Sequence, residues 1–445
     1  MHRKAMVVIR LLFCLVLATA ARGQRLDGSL RVEVGDQSGS AITDARVTVT
    51  NQDTNVAVST TASSAGTYVF PNLLVGTYQV TVEKDGFKKA IQRDVTVESN
   101  QIAEAKIALE LGAVSSTVEV EAGADLVKTE SSTLEATFSG RVVQDLPVNT
   151  LGGDVKEFAV LAPGTTTQQG GVLGSGGSIG GLRPRFNGFN IDGVEDNKLD
   201  TNGPTQPVIQ ESIAEFTLLT NQFSADNGHS AGGLFNIVTK SGTNNWHGAG
   251  WEYNRNRNYD AFDNQQKDRG LKDRFDYNRL GASAGGPLKK DRLFIYGAYE
   301  FQNNGTAASS PQVSLPTAEG LATLNVLAAN DAVRQILAQF PVAPTNDAGT
   351  VDVITGGTTT AIPVGNLTTV APSFSNQHDF IINGDLTTGK HQVSTRYLYD
   401  RFRAPDFNLS LPAPQFLGTS QADGRKAIIS DTWTISNRVV NNLHG

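Results

Sequence analysis

The stretch Phe186-Asn187-Gly188-Phe189-Asn190-Ile191-Asp192-Gly193-Val194 places an Asp-Gly pair directly after a short apolar segment. Asp-Gly is a strong signal for a tight turn between strands, because both residues tolerate positive φ. Further along, Asn236-Ile237-Val238-Thr239 has the composition of a strand, and Ser241-Gly242-Thr243-Asn244 follows it as a turn. The two stretches predict short strands that each end in a tight turn.

The residues around the first stretch are rich in glycine. Ten of the thirty residues from 164 to 193 are glycine. Such a segment cannot form a core of its own, so it needs other protein around it or is a mobile loop.

Aromatic segments with a period of two follow the second stretch. In 293–301, Leu293, Ile295, Tyr299 and Phe301 share one face, and Glu300 falls on the other. An apolar outward face against a polar inward one is typical of a transmembrane β-strand, although a soluble sandwich would show the same alternation.

The second half also contains a predicted hairpin and a long loop. Segments 379–386 and 391–402 predict the hairpin, with 387–390 as its turn. The segment 303–377 is rich in Thr, Ala, Pro and Gly, with one predicted helix over 318–339. Because barrels carry long loops on the extracellular side, we expect this segment to be such a loop.

The N-terminal part contains a series of short segments in which apolar and polar residues alternate, as in β-strands. The predicted strands are 30–34, 45–50, 67–70, 78–82, 95–97 and 102–109. Turn residues separate them, and this spacing predicts an antiparallel β-sandwich.

The chain begins with the pattern of a secretory signal peptide. Arg3, Lys4 and Arg10 precede an apolar run that is too short to span a bilayer, and small residues follow it. Cleavage after Ala20 and cleavage after Gly23 are both consistent with the pattern. Cys14, the only cysteine, lies inside this segment, so disulfide and thiol chemistry are excluded from the exported chain.

Residues 29–111 resemble the carboxypeptidase regulatory-like domain, a small immunoglobulin-like sandwich. The matching segments are 45–49, 66–70, 73–78 and Gly86-Phe87. The resemblance implies no peptidase activity, because the domain is an accessory module in its namesake. It leaves open whether the sandwich binds sugar or serves as a structural or docking module.

The central stretches resemble the plug domain and first barrel strand of TonB-dependent outer-membrane receptors, in the Oar-like branch. Two further segments carry the same resemblance, Ile213-Ala214-Glu215-Phe216 and 223–228. The resemblance implies two groups of site residues, although Asp192 and Lys240 could simply fix turns. The plug motif comprises Asn187, Asp192, Gly193 and Val194; the plug–barrel junction comprises Asn236, Thr239, Lys240, Ser241 and Gly242.

In such receptors a short box pairs as an added strand with the periplasmic protein TonB. Ser116, Thr117, Val118, Glu119 and Val120 match the family pattern of this TonB box. The first strand of a plug would have the same pattern, so both interpretations stay open here.

The combined expectation is a mainly β chain with an Ig-like β-sandwich, a mixed α/β plug domain and the first strands of an incomplete transmembrane β-barrel. The expected bounds are 1–23 for the signal peptide, 24–112 for the sandwich, 113–242 for the plug and 243–445 for the barrel part. The resemblance implies uptake of a large, unknown extracellular substrate through the Gram-negative outer membrane, with outer-membrane lipid and the TonB-ExbB-ExbD complex as partners. The alternative is a secreted multi-domain β-sandwich protein for adhesion or carbohydrate binding.

Enzyme chemistry and nucleic-acid binding find no support in the sequence. His229, His247, His378, His391 and His444 lack metal-ligand spacing, and no Gly-x-Ser-x-Gly motif is present. The segment 384–390 matches part of a phosphate loop, but His391 replaces the required Ser or Thr. The formal net charge is −7, without a Lys/Arg cluster for phosphate contacts. We therefore expect no cofactor, no metal and no nucleic-acid partner.

Chain length sets a last expectation. After Gly242 about 200 residues remain, enough for about 8 to 10 strands and their loops. A plugged lumen needs about 22 strands. We therefore expect this chain to be an N-terminal fragment with an exposed last strand.

Overall fold

The computed structural model describes residues 27–61, 66–112, 117–120, 134–146, 155–167, 174–221, 230–262, 264, 267, 272, 274–309, 313–368, 370–407, 416–436 and 439–445. The signal-peptide segment 1–23 and Ser116 lie outside these residues. No helix in this described part is long and apolar enough to cross a membrane.

The N-terminal unit is a sandwich of two sheets, ordered β4-β1-β7 and β3-β2-β5-β6-β8. Its strands are β1 (Gly28–Asp36), β2 (Arg46–Asn51), β3 (Ala57–Thr61), β4 (Thr67–Leu73), β5 (Gly76–Glu83), β6 (Lys89–Val97), β7 (Ile102–Leu109) and β8 (Thr117–Val120). Alternating residues such as Val47 and Val49 pack between the sheets with Tyr68 and Phe70.

Two features of the sandwich differ from expectation. β1 pairs in parallel with β7, and β6 pairs in parallel with β8, so the sandwich is not purely antiparallel. The other difference is β3, an edge strand that the sequence pattern did not predict. In its segment Ala-Val-Ser-Thr-Thr, Val58 is the one large apolar residue, so the sequence shows no clear apolar alternation there.

The middle of the chain, called the plug below, contains a five-stranded mixed sheet ordered β13-β12-β15-β14-β9. The plug strands are β9 (Leu134–Ser139), β10 (Thr165–Thr166), β11 (Ser178–Ile179), β12 (Gly188–Ile191), β13 (Val194–Glu195), β14 (Ile213–Asn221) and β15 (Leu234–Thr239). Helix α1 (Gly140–Asp145) and three 3-10 helices (Val155–Leu161, Pro184–Phe186 and Gln210–Ser212) complete it.

A chain of phenylalanine rings forms the plug core. The ring contacts run from Phe158 and Phe138 through Phe216 and Phe235 to Phe189, with centroids 4.8–6.5 Å apart. Aromatic pairs at such distances add stability beyond the area that they bury. The glycine-rich plug thus obtains its core from its strands.

The C-terminal part forms a seven-stranded antiparallel sheet, called the wall below, ordered β16-β17-β18-β22-β23-β24-β25. In chain order its strands and those of its insert are β16 (His247–Asn256), β17 (Phe275–Lys289), β18 (Leu293–Ser309), β19 (Val313–Pro316), β20 (Thr350–Thr355), β21 (Thr358–Leu367), β22 (Val370–Thr388), β23 (His391–Phe407), β24 (Leu417–Ser436) and β25 (Val439–His444). The predicted hairpin is confirmed as β22 and β23, and both strands are longer than expected.

The wall has two different ends. At one end β17 joins β18 through 290–292, and β22 joins β23 through 389–390. At the other end the connections are 257–274, the insert between β18 and β22, and 408–416. Outer-membrane barrels have short periplasmic turns and long extracellular loops. The wall matches this pattern, and we call the end with the connections 290–292 and 389–390 the short-turn end.

The wall strands alternate as the sequence predicted. Among outward-facing residues, Tyr299 is 46% exposed and Leu280 is 56% exposed. Tyr296, Ala298 and Glu300 alternate with them and are buried on the inward side. The inward face therefore carries both apolar and charged groups, and it packs against the plug.

The long segment 303–377 is not a simple loop. β19, β20 and β21 form a small sheet, and Gly356 and Gly357 make the tight turn between β20 and β21 at positive φ. The single predicted helix is wrong, because the structure has α2 (Ala318–Leu327) and α3 (Asp331–Leu337). Asn330 caps α3 by accepting a hydrogen bond from the Val333 amide, which starts a new helix.

Candidate functional site

The Asp-Gly turn forms as predicted. Ile191 and Val194 pair across it, and Asp192 and Gly193 have φ values of 47° and 81°. Positive φ at both central residues is the mark of a type I′ hairpin turn. The turn places the Asp192 side chain at the end of β12.

The plug motif and the junction motif meet at this side chain. β12 and β15 are parallel neighbours, and Ile191 pairs with Ile237, so the two strands end at the same edge. One oxygen of Asp192 accepts a hydrogen bond from the Thr239 amide at 3.0 Å, and the other accepts one from Thr239 Oγ1 at 2.7 Å. Asp192 therefore ties the end of β15 to the turn.

The wall completes this site with three side chains. Arg396 Nε lies 3.6 Å from Asp192 Oδ2, and Arg396 Nη1 donates to Asp385 Oδ1 at 2.9 Å. Asn383 donates to Thr239 Oγ1 at 2.9 Å and to the Lys240 carbonyl at 2.7 Å. Ser241 donates to Asp385. We call Asp192, Thr239, Ser241, Asn383, Asp385 and Arg396 the junction cluster.

The junction cluster is shielded from solvent. The side chains of Asp192 and Asp385 are each 10% exposed, and that of Arg396 is 8% exposed. Burial raises the pKa of Asp192, whereas Arg396 and the bonds from Thr239 lower it. Two buried carboxylates thus share one guanidinium, and Arg396 is the group that makes this arrangement tolerable.

A second ion-pair group joins the plug to the wall further from the short turns. Arg279 on β17 donates to Gln210 at 3.0 Å and to Glu211, both in the last 3-10 helix of the plug. Its Nε lies 3.2 Å from Glu300, and Glu300 also accepts a hydrogen bond from Trp251 at 2.7 Å. This group is as buried as the junction cluster.

A third contact lies at β24. Lys426 Nζ lies 2.9 Å from Asp196 and 2.5 Å from the Glu195 carbonyl. Gln206 donates to Asp400 at 2.5 Å. Burial raises the pKa of Asp196, and Lys426 opposes that shift. These contacts bind plug residues to wall strands β17, β22, β23 and β24, and Tyr296 on β18 donates to Ser212 at 3.2 Å.

Sequence reasoning missed most of these wall residues. Arg279, Asp385, Arg396 and Lys426 carry charges at positions buried against the plug. Alternation had placed Glu300 on the polar inward face, and the same rule applied to every strand would have singled out the other charges. The partners that each charge meets could not be read from alternation.

The remaining predicted residues have structural roles. Asn187 donates to the carbonyls of Ser175 and Gly177 and accepts from the Gly233 amide, which fixes the glycine-rich segment. Asn236 accepts a hydrogen bond from Asn190 across the paired strands. Val194 opens β13.

Lys240 and Gly242 lie in the segment that connects the plug to the wall. The Lys240 amide donates to the Ser212 carbonyl at 2.8 Å, and burial lowers the pKa of its amine. A Cβ on Gly242 would lie 2.4 Å from the Ile295 carbonyl oxygen, so only glycine fits there.

Thr117, Val118, Glu119 and Val120 form β8, which pairs with β6 of the sandwich rather than with the plug sheet. The first described strand of the plug sheet is β9. The segment assigned to the plug from residue 113 therefore contributes a strand to the sandwich.

Several hydrogen bonds tie the sandwich to the other parts, including one from Gln101 to Thr137 at 3.4 Å. The Ser99 amide and hydroxyl both donate to the Glu215 carboxylate, which is 3% exposed. The Asn244 amide donates to the Asp53 carbonyl at 2.9 Å, and Asn442 donates to Asn72 at 3.2 Å. In the described ranges, no group of three or more His, Cys, Asp or Glu is placed to hold a metal ion.

Family comparisons match two parts of the chain. Residues 238–445 match the outer membrane beta barrel domain, and residues 29–110 match the carboxypeptidase regulatory-like domain. The TonB-dependent transporter Oar of Myxococcus xanthus is 24% identical over 277 residues, which are 59% of this chain and 25% of that protein. The chain thus spans a quarter of this curated relative.

Solved structures show distant similarity. The ferric enterobactin receptor PfeA of Pseudomonas aeruginosa, an R480A mutant in complex with enterobactin, is 11% identical with a TM-score of 0.36; the match covers 68% of this chain and 47% of that one. The siderophore receptor PirA of Acinetobacter baumannii is 17% identical with a TM-score of 0.33, and the match covers 67% and 44%. The chain spans about half the length of these two structures.

Proposed function

We propose that this chain belongs to the TonB-dependent receptors of the Gram-negative outer membrane, and that the receptor imports a large extracellular substrate with energy from the TonB-ExbB-ExbD complex. Its relatives are transporters and receptors, not enzymes. The secreted adhesion protein that we considered as an alternative does not account for the outer membrane beta barrel match.

The observation that carries the proposal is the set of buried ion pairs between plug and wall. A plug that only filled space would need apolar contacts, such as those of Ile191 and Ile209 with Tyr296. Here the plug also meets the wall through the charged groups Asp192, Glu211 and Asp196, which would gain hydration when the plug moves. Buried pairs of this kind favour one arrangement strongly over near alternatives, yet their partners can be exchanged for water. This suits a plug that is closed at rest and rearranges under force.

The two ends of the wall would then have separate tasks. Substrate would bind on the long connections, including the insert with α2 and α3, and on the plug surface beneath them. TonB would act at the short-turn end, where the sandwich contacts Asn244 and Asn442. The exposed apolar residues of the wall, such as Tyr299 and Ile429, would face lipid.

The proposal is tested by replacing 116–120 with Gly-Ser-Gly-Ser-Gly in the full-length receptor. We expect the wild-type receptor, purified from outer membranes in detergent, to bind the purified C-terminal domain of TonB, and the replaced receptor not to bind it. A matched control replaces the exposed Lys289 and Lys290 by serine and should bind normally. Equal binding by all three receptors would remove Ser116 to Val120 as the TonB box.

A further inference from the structure

We propose that the N-terminal sandwich stores the TonB box as an added edge strand, and that TonB must displace this strand from β6 before it can bind. The inference rests on the proposed function and adds a regulatory role for the sandwich. In the structure, Lys89, Ala90, Ile91 and Gln92 pair in parallel with Thr117, Val118, Glu119 and Val120.

β6 carries a bulge directly after the residues that pair with β8. Asp94 has a φ of 58°, and the register of β5 and β6 shifts between Tyr78 and Val80, which marks a bulge in β6 next to Arg93. A bulge disrupts the ladder locally and bends the strand. Among the described residues, β8 meets the four residues of β6 that precede the bulge.

β6 is also suited to being an edge strand without β8. Natural edge strands avoid aggregation by means of charged side chains and bulges. Lys89 forms an ion pair with Glu83 at 2.9 Å, and the bulge carries Arg93 and Asp94. The sandwich can thus lose β8 without exposing a flat apolar edge, which a reversible store requires.

The store lies where TonB would act. The sandwich contacts the wall through Asp53 and Asn72, and their partners Asn244 and Asn442 belong to the short-turn end. Asn244 also forms two hydrogen bonds with Asp291, which lies in the turn between β17 and β18. The sandwich, and the strand stored on it, therefore lies at the short-turn end, the proposed periplasmic side.

β6 and TonB would bind β8 in the same way, by pairing with it as a neighbouring strand. TonB recognises its box through backbone hydrogen bonds, which β6 also provides. If TonB needs the edge of β8 that β6 covers, the two compete. If TonB adds to the other edge of β8, TonB and β6 do not compete, and TonB would bind β8 while β8 stays paired with β6. The experiment must therefore distinguish displacement of β8 from binding without displacement.

A disulfide staple across the pair tests the competition. Ile91 and Glu119 are register partners, and neighbouring strands lie about 4.8 Å apart, within the roughly 4.4–6.8 Å that a disulfide spans between Cα atoms. The double variant Ile91→Cys/Glu119→Cys keeps the core residues Ala90 and Val95. Cys14, in the predicted signal peptide, is the only other cysteine of this sequence.

We expect the oxidised receptor to bind the TonB C-terminal domain at least about tenfold more weakly than the same receptor after reduction, and reduction to restore wild-type affinity. A matched staple, Thr48→Cys/Ser59→Cys, joins β2 and β3 in the same sheet away from β8. It should bind normally in both redox states.

Undiminished binding by the oxidised Ile91–Glu119 staple would overturn the storage proposal and leave the TonB assignment intact. Absence of TonB binding in wild-type and reduced receptors alike would overturn the proposed function and, with it, the storage proposal. Loss of binding by both oxidised staples would assign the effect to sheet rigidity and also overturn storage.

Discussion

Arg396 Nε lies 3.6 Å from Oδ2 of Asp192, and this contact joins the type I′ turn of the plug to strand β23 of the wall. Asp385 forms an ion pair with Nη1 of the same guanidinium. Because Arg396 is the one cation of the junction cluster, its removal leaves two buried carboxylates facing each other.

The first prediction concerns this cation. Arg396→Leu should destabilise the docked plug by about 3–5 kcal/mol, the typical cost of an uncompensated buried charge. Hydrogen exchange of the receptor in detergent should show faster exchange of the amides in 188–195 and 236–241. The control Arg401→Leu removes an exposed pair with Asp423 and should cost about 0–1 kcal/mol. Equal protection in both variants would show that the junction cluster does not hold the plug.

The second prediction concerns the passage from plug to wall. Gly242→Ala should sharply reduce the yield of folded receptor, because its Cβ would lie 2.4 Å from one backbone oxygen and 2.7 Å from another. Gly250→Ala is the control, since its Cβ would meet the nearest atom at 3.9 Å. Folded receptor can be quantified by its heat-dependent shift on an SDS gel. A normal yield of the Gly242 variant would contradict the packing described here.

The pH dependence of sandwich docking gives the third prediction. Burial raises the pKa of Glu215 above its ordinary value, and the nearby charge of Glu98 adds to this, while the bonds from Ser99 oppose it. The docked state therefore holds its proton to higher pH than the undocked state. Docking should be strongest at acidic pH and weaken as pH rises through the interval above the ordinary value of 4.5.

Energy transfer between dyes at Ser38→Cys and Lys290→Cys, two exposed positions, can follow the docking. The pH dependence should disappear in Glu215→Gln, because the amide does not titrate in this range. A Glu215→Gln receptor with the wild-type profile would assign the dependence to another group.

Much of the local structure was predictable from the sequence, and the long-range contacts were not. The Asp192-Gly193 turn forms because its cause is local: two adjacent residues that accept positive φ. The break between α2 and α3 was equally local, since Asn330 followed by Asp331 is a helix-start signal that our single predicted helix overlooked. Period-two alternation also placed Glu300 on the inward face correctly.

The pairing of Asp192 with Arg396 was beyond such reasoning. Alternation predicts which face of the sheet a residue occupies, but it does not predict the register between neighbouring strands. The register decides which charged side chains lie next to each other. The partner of β8 was unpredictable for a related reason, because a four-residue strand can add to any open edge. The sequence pattern left a TonB box and a first plug strand as the two interpretations of this segment, and pairing with the sandwich was not predicted.

The fourth prediction concerns the path of force. β9 is an edge strand of the plug sheet, and it is the first described plug strand after the proposed TonB box. Pulling from Val120 should peel its six residues from β14 and lengthen the chain by up to about 20 Å. Force spectroscopy with the TonB domain as the handle should resolve this step.

A staple between β9 and β14 provides the control for the peeling step. Thr137 and Thr217 are register partners whose hydroxyl oxygens lie 3.3 Å apart. Oxidised Thr137→Cys/Thr217→Cys should lose the step, and reduction should restore it. A step that persists in the oxidised variant would place the first rupture elsewhere in the plug.

The most direct test of the account is photo-crosslinking in living cells, with a photoreactive amino acid at Val118 of the full-length receptor. We expect a covalent receptor–TonB product from the outer membrane with the probe at Val118, and none with the probe at the exposed control position Arg46 on β2. A receptor that reaches the outer membrane and crosslinks to TonB from neither position, or equally from both, would contradict it.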